Sequence, residues 1–346
     1  MPLRDVLGLL DATPSKVVLT VLCFGMRFHI DVSKDRLVRN SKLTMQFEAM
    51  TQKLNPENQP GQEQDCDGDA DSDADAREEL SFWILQLCKT HMERFSDQTV
   101  KRRPIRTLHD YFNIETLVLA FNEYRGLAPQ AHSSVPNRKL LKEITPNVPL
   151  DGSIVELGLP LVYPWQVELF ETETWKDLPK NPNKVVLDSQ LRFFKPAWDA
   201  EFTNLKISTL LRIQSLGLQD SIRVPKLLEL VRFNEVIIDA VRVSGMLFEY
   251  IEHRGTLEQM DFHRVSAEVR KKWRRQLKDG VKCLHEAGIV WGDAQPESIL
   301  VDSDYNLWFI GLGGEYCGGD MDEDKMGTIE GDLQALESML AWLKSQ

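Results

Sequence analysis

The sequence lacks a paired-cysteine framework. Its five cysteines, Cys23, Cys66, Cys88, Cys283 and Cys317, are odd in number, widely spaced and form no Cys-x-x-Cys pair. Neither a disulfide scaffold nor a zinc site is expected, and metal ligands are read as none. It also lacks a long apolar run: the stretch from Val17 to Met26 falls short of the about 20 residues that a membrane span needs. Met1-Pro2-Leu3-Arg4-Asp5 carries no secretory-signal pattern. Positive charge is in deficit, with 41 Lys and Arg against 53 Asp and Glu and a net charge of −12. That excludes broad attraction to nucleic acid or to anionic membrane surfaces. The seven histidines show no ligand spacing, and no Ser/His/Asp or Cys/His arrangement is readable. The expectation is a cytoplasmic or nuclear protein with no nucleic-acid and no membrane partner. The sequence names no partner; a protein is the compatible kind.

What is present begins with an apolar share of 42% over 346 residues, enough to build one large or two modest cores. Residues 1–53 read as a β/α extension, with β-prone stretches at Val17–Leu22 and Arg27–Asp31 and a turn at Gly25. Residues 54–79 change character. A Pro/Gly/Asn cluster is followed by Asp at 65, 67, 69, 71, 73 and 75, which predicts an acidic disordered insert. From Asp67, carboxylates fall at positions 1, 3, 5, 7, 9 and 12 of a calcium-loop pattern. Ser72 stands where that loop needs glycine for its turn, so a solvated acidic linker is the better reading. Residues 80–125 read as helical, with helices expected over Glu78–Phe95 and Thr107–Tyr124, and residues 126–150 read as a linker.

From residue 151 the chain turns β-rich. Strands are expected at Lys184–Leu187, Leu191–Lys195, Val236–Val241 and Gly245–Ile251, with a helix over Glu201–Leu216. Arg264–Ala287 is the clearest helix: Val265, Val269, Trp273, Leu277, Val281 and Leu284 form one apolar stripe. Its basic residues, Arg270 to Lys278, read as a solvated face, and Gly288 as the helix stop. A short hydrophobic run, Ile289-Val290-Trp291, then leads to Gly292-Asp293. A proline-containing loop and a strand pair follow, Ser298–Asp302 and Leu307–Ile310. A last helix covers Asp332–Lys344. Elements segregate by region, which makes the fold class α+β.

The segment Trp291-Gly292-Asp293-Ala294-Gln295-Pro296-Glu297-Ser298-Ile299-Leu300-Val301-Asp302 and the later Gly331-Asp332-Leu333-Gln334-Ala335-Leu336-Glu337 resemble the protein-kinase-like superfamily. The closest pattern is that of divergent fungal kinase-like proteins. The resemblance covers roughly residues 159–346. It implies a two-lobed fold with an N-lobe over 151–252, a truncated C-lobe over 253–346 and the upstream residues as an added extension. It places Asp293 as the catalytic base, Lys195 as the phosphate-anchoring lysine of the Phe193-Phe194-Lys195 strand, and Asp332 in a structural role under the loop. Other positions depart from the pattern. Lys206 stands where the glutamate partner of Lys195 belongs, and Gln295 stands for the loop lysine. Ser298 and Gly311 stand for the two magnesium ligands. Phe170 to Leu187 holds no glycine to cradle phosphates. Phosphoryl transfer depends on metal charge at the phosphate oxygens. The resemblance therefore implies a degenerate, pseudokinase-like binding or scaffolding protein, with ATP as the implied ligand and Mg²⁺ weakly held or absent. The alternative is a divergent phosphotransferase acting on protein Ser/Thr or a small molecule, its metal ligands relocated to Asp302, Glu315 or the Asp320–Asp324 run.

Overall fold

Val17, Leu19 and Val21 alternate along the chain and all three are buried, as one face of a strand requires. They lie on β2 (Lys16–Cys23), between β1 (Leu7–Ala12) and β3 (Met26–Ser33). Phe24 and Gly25 join β2 to β3 with φ of 55° and 72°, the left-handed geometry that hairpin turns use. The computed structural model describes residues 7–37, 41–54, 69–95, 104–122, 130–134, 136, 140–141, 144–171, 182–233, 241–313 and 325–345. It divides into two units, residues 1–144 with 171–182, and residues 145–170 with 183–346.

In the first unit, β3 is followed by α1 (Ser41–Lys53), α2 (Asp69–Met92) and α3 (Leu108–Phe112), and then by β4 (Thr116–Asn122) and β5 (Gln130–Ser134). The five strands form one sheet in chain order, with β3 and β4 parallel. Phe47 of α1 and Leu80, Ile84, Leu85, Cys88 and Met92 of α2 pack into the same core as the sheet. Three expectations are corrected here. The acidic insert is helical from Asp69 onward, because Ala76 and Leu80 extend the buried stripe of α2 towards its N-terminus; residues 55–68, including Asp67 of the calcium pattern, lie outside the described residues. The helix expected over Thr107–Tyr124 stops at Phe112, and Thr116–Asn122 is a strand. Asn113 closes the last turn of α3 by bonding to His109, and Leu119 between half-buried neighbours then follows strand alternation. The linker expected over 126–150 contains β5, which pairs with β4.

The second unit opens with β6 (Val148–Pro149), α4 (Gly152–Glu156), β7 (Leu161–Val162), β8 (Glu168–Leu169), β9 (Lys184–Leu187) and β10 (Gln190–Pro196). Then come α5 (Ala200–Ser215), β11 (Leu227–Arg232) and β12 (Arg242–Glu249). The sheet runs β7-β11-β12-β10-β9-β8, with β6 added against β12. Of the strand expected at Val236–Val241, residues 236–240 lie outside the described residues. After β12 the chain forms β13 (His253–Thr256), α6 (Ala267–Glu286), β14 (Ile299–Asp302), β15 (Leu307–Phe309) and α7 (Ile329–Ser345). The β14–β15 hairpin carries β13 on its other edge.

Helix α6 starts at Ser266, whose hydroxyl accepts from the Val269 N–H, and stops at Gly288, at φ 65°. Its apolar stripe buries Trp273, Leu277, Val281 and Leu284. The Trp273 indole N–H donates to the Tyr305 carbonyl at 3.0 Å. Gly280 is the point of closest approach to the hairpin, where an added Cβ would overlap the ring of Phe309. One core runs from the sheet residues Leu230 and Met246 through α6 to Leu343 of α7. Gly280→Val is expected to destabilise the protein by about 1–3 kcal/mol through overpacking. Urea unfolding would measure it, and an unchanged midpoint would contradict the close approach of α6 to Phe309.

Candidate functional site

The loop that carries Asp293 is held from beneath. After Gly288 the chain buries Ile289 and Trp291, and the Trp291 indole N–H donates to the Ile310 carbonyl at 2.9 Å. The Asp332 carboxylate, at the start of α7, accepts from the Trp291 N–H at 2.6 Å and from the Gly292 N–H at 2.9 Å. His285 Nε2 lies 2.8 Å from the same carboxylate. Asp332 is 1% exposed, so this carboxylate is desolvated and held by charge-assisted bonds. These contacts are the structural role assigned to it from the sequence. Gly292 takes φ 81°, a turn that suits glycine, and the next residue is Asp293.

Both oxygens of Asp293 are engaged. Gln295 Nε2 donates to Oδ1 at 2.7 Å and Ser298 Oγ donates to Oδ2 at 2.5 Å. The residues standing at the loop-lysine and first magnesium-ligand positions therefore both turn onto the carboxylate. Burial raises the pKa of Asp293. The Ser298 hydrogen bond and the Lys206 and Lys195 ammonium groups oppose that rise, and Glu297 adds to it.

Lys195 sits on β10, opposite Met246 of β12. Lys206 is on α5, whose start is fixed by Asp199 accepting from the Phe202 N–H at 2.9 Å. Asn204 ties that helix to the strand before it: its Nδ2 donates to Pro149 O and its Oδ1 accepts from Asp151 N. The buried face of α5 is Thr203, Asn204, Lys206, Ile207, Leu210 and Ile213. Lys206 thus occupies an inward position and is 8% exposed. Burial and then the neighbouring Lys195 ammonium push its pKa down to about 7, while Asp293 pulls the other way. Lys195, Lys206 and Asp293, distant in sequence, share one electrostatic neighbourhood. Glu201 is exposed in the first turn of α5, and among the described residues neither lysine has a carboxylate within ion-pair distance.

The turn after β15 closes over this neighbourhood. Gly311 has φ 78°, and a Cβ built on it would lie 2.5 Å from Asp293 Oδ2 and 2.7 Å from Ser298 Oγ. Gly313 has φ 65°, and its Cβ would lie 3.0 Å from the Lys206 Cα. The Gly313 N–H donates to the Trp291 carbonyl at 3.1 Å. Both glycines permit backbone to pack where a side chain has no space.

Among the described residues no group of three His, Cys, Asp or Glu is placed to hold a metal ion. Asp302, one of the relocated ligands considered above, is occupied by its own turn. Its Oδ1 accepts from the Asp304 and Asn306 N–H groups and its Oδ2 from Asn306 Nδ2 and Trp308 Nε1. Burial raises its pKa, but these hydrogen bonds outweigh that and lower it overall. Glu315 and residues 320–324 lie outside the described residues. Sequence reasoning missed the positive role of Lys206. The spacing of Thr203, Ile207, Leu210 and Ile213 could have flagged it, because 206 falls on the face they bury.

Two outcomes follow from the geometry. The unfolded chain binds more protons than the fold between the depressed Lys206 pKa, about 7, and its ordinary 10.5. Stability from this group therefore rises with pH across that window, by up to about 1.4 kcal/mol per pH unit. Urea melts at pH 7 and 8.5 should show a shallower slope for Lys206→Met than for the parent; identical slopes would refute the assignment. Gly311→Asp should lower stability by about 1–3 kcal/mol through overlap with Asp293 and Ser298, read by the same melts.

No family model matches the chain. Testis-specific serine/threonine-protein kinase 2 of Mus musculus is 34% identical over 71 residues, 20% of this chain and 18% of that protein. The chain thus shares a short stretch with a serine/threonine kinase and spans less than a fifth of that relative's length.

Proposed function

We propose that residues 145–346 form a degenerate protein-kinase-like domain, two-lobed with a truncated C-lobe, that acts by binding or scaffolding rather than by phosphoryl transfer. The proposed lobes are the strand-rich part through β12 and the part from β13 to α7, and the nearest pattern is that of divergent fungal kinase-like proteins. The short similarity to a serine/threonine kinase supports this reading. So does the order in which strand lysine, helix, Asp293 loop and following turn occur.

The observation that carries the loss of catalysis is the turn at Gly311. In the usual mechanism a carboxylate there holds the metal that bridges the β- and γ-phosphates. Here the turn packs its backbone against Asp293 and Ser298, leaving no space for a β-carbon. Ser298 and Gln295 meanwhile satisfy both oxygens of the one retained acidic residue. A base whose oxygens are occupied by internal donors, beside a turn without a ligand, is poorly arranged to take a proton from an acceptor hydroxyl.

Incubation of the full chain with γ-labelled ATP and Mg²⁺ or Mn²⁺ tests the reading. The expected result is no transfer to protein, peptide or small-molecule acceptors that depends on Asp293. Transfer abolished by Asp293→Asn would overturn the binding reading and establish a phosphotransferase with relocated metal ligands.

A further inference from the structure

Charge in the site is out of balance once each group is counted. Lys195 and Lys206 supply two amines. Asp293 supplies one carboxylate, with both oxygens already accepting from Gln295 and Ser298. From the elements packed around Lys206, the facing ionisable groups are Lys195 on β10 and Asp293 on the loop, with Glu297 acting on Asp293. The turn over Lys206 presents the glycine backbone at 313. No carboxylate among the described residues lies within ion-pair distance of either lysine. An amine buried to 8% exposure without a counter-ion is costly when charged.

Lys206 and Lys195 also share a hydrogen bond. An ammonium carries three donors and no acceptor. A hydrogen bond between two lysine amines therefore needs one of them neutral, and the more buried Lys206 is that one. An anion placed between them changes the balance: it accepts from both amines and restores the charge on Lys206. A doubly charged tetrahedral anion fits better than a carboxylate, because it offers an oxygen and a negative charge to each amine.

We infer that Lys195 and Lys206 form a phosphate-anion site that needs no divalent metal and that takes up a proton as it fills. The inference names the ligand class of the same site and rests on the binding reading above. Lys206 supplies the second positive charge that a metal ion would otherwise bring. The proton comes from solvent and lands on the Lys206 amine, so binding strengthens as pH falls towards the depressed Lys206 pKa. The shared chemistry is a polyphosphate, either free or as the tail of a nucleotide.

Titration calorimetry of the full chain with sodium tripolyphosphate and with ATP, in excess EDTA, separates these cases. Runs at pH 6.5 and pH 8, in two buffers of unlike ionisation enthalpy, read the proton. The expected result is metal-free binding that is several-fold tighter at pH 6.5, with uptake of up to one proton at pH 8. Lys206→Met should weaken binding at least tenfold and abolish uptake while its thermal unfolding stays cooperative. Lys195→Met should weaken binding too, and it keeps the test open if the first variant fails to fold. ATP binding at least tenfold tighter than tripolyphosphate assigns a nucleotide; equal affinities assign the free polyphosphate, and both support the site. Binding of ATP only with Mg²⁺ overturns the inference and leaves the binding reading standing. Metal-free binding with unchanged affinity in both lysine variants, or no binding of either probe, also overturns it. Asp293-dependent transfer would instead overturn the binding reading and leave the lysine site to be judged by the calorimetry.

Discussion

One buried carboxylate organises the second unit. Asp332 takes the Trp291 and Gly292 N–H groups on its two oxygens, with His285 at its side. Without those acceptors the two backbone donors would be orphaned beneath the loop, each at a cost of about 1–3 kcal/mol. With them, the peptide before Asp293 has one orientation. The Trp291 carbonyl then accepts from Gly313, so the same anchor sets the turn that covers Lys206. A contact at the start of the last helix thereby determines where a carboxylate and two glycines stand in the site.

Upon that anchor, the side chains at 206, 295, 298 and 311 form a self-consistent set. Gln295 and Ser298 satisfy Asp293. Gly311 allows them to approach, and Lys206 occupies a position of α5 otherwise given to apolar residues. Each differs from the kinase-like pattern, yet together they leave the acidic residue satisfied and the amines unbalanced. The site thus has the chemistry of an acceptor of negative charge. The groups that would hold a metal are absent from the described residues.

Much of this was legible in the sequence wherever one element carries its own signal. The apolar stripe of α6 and its glycine stop can be read from spacing alone, as can the β14–β15 hairpin. Asp332 could be assigned to the loop backbone because the Gly-Asp-Leu-Gln run is distinctive. What was hidden depends on contacts distant in the chain. β13 is short and is held by β14, more than forty residues on. β4 was read as helix because Ile114, Leu117 and Phe121 also fit three- and four-residue spacing; its pairing with β3 decides the matter. The α2 start was hidden by its acidic residues, whose charge suggests disorder although the apolar stripe reaches back to Ala76. Lys206 could be seen as a departure from a pattern, but its partnership with Lys195 needs two elements brought side by side.

The closed turn at Gly311 has a consequence in time. A residue lost from an open surface can return by one substitution. Here the vacated volume has been taken by a neighbour's oxygen and by a hydroxyl, so a returning side chain must displace both while adopting a backbone angle it disfavours. Change at this position runs readily one way and resists reversal. The geometry acts as a ratchet, and descendants of this chain would regain a carboxylate in the neighbourhood more readily from a different position than from 311.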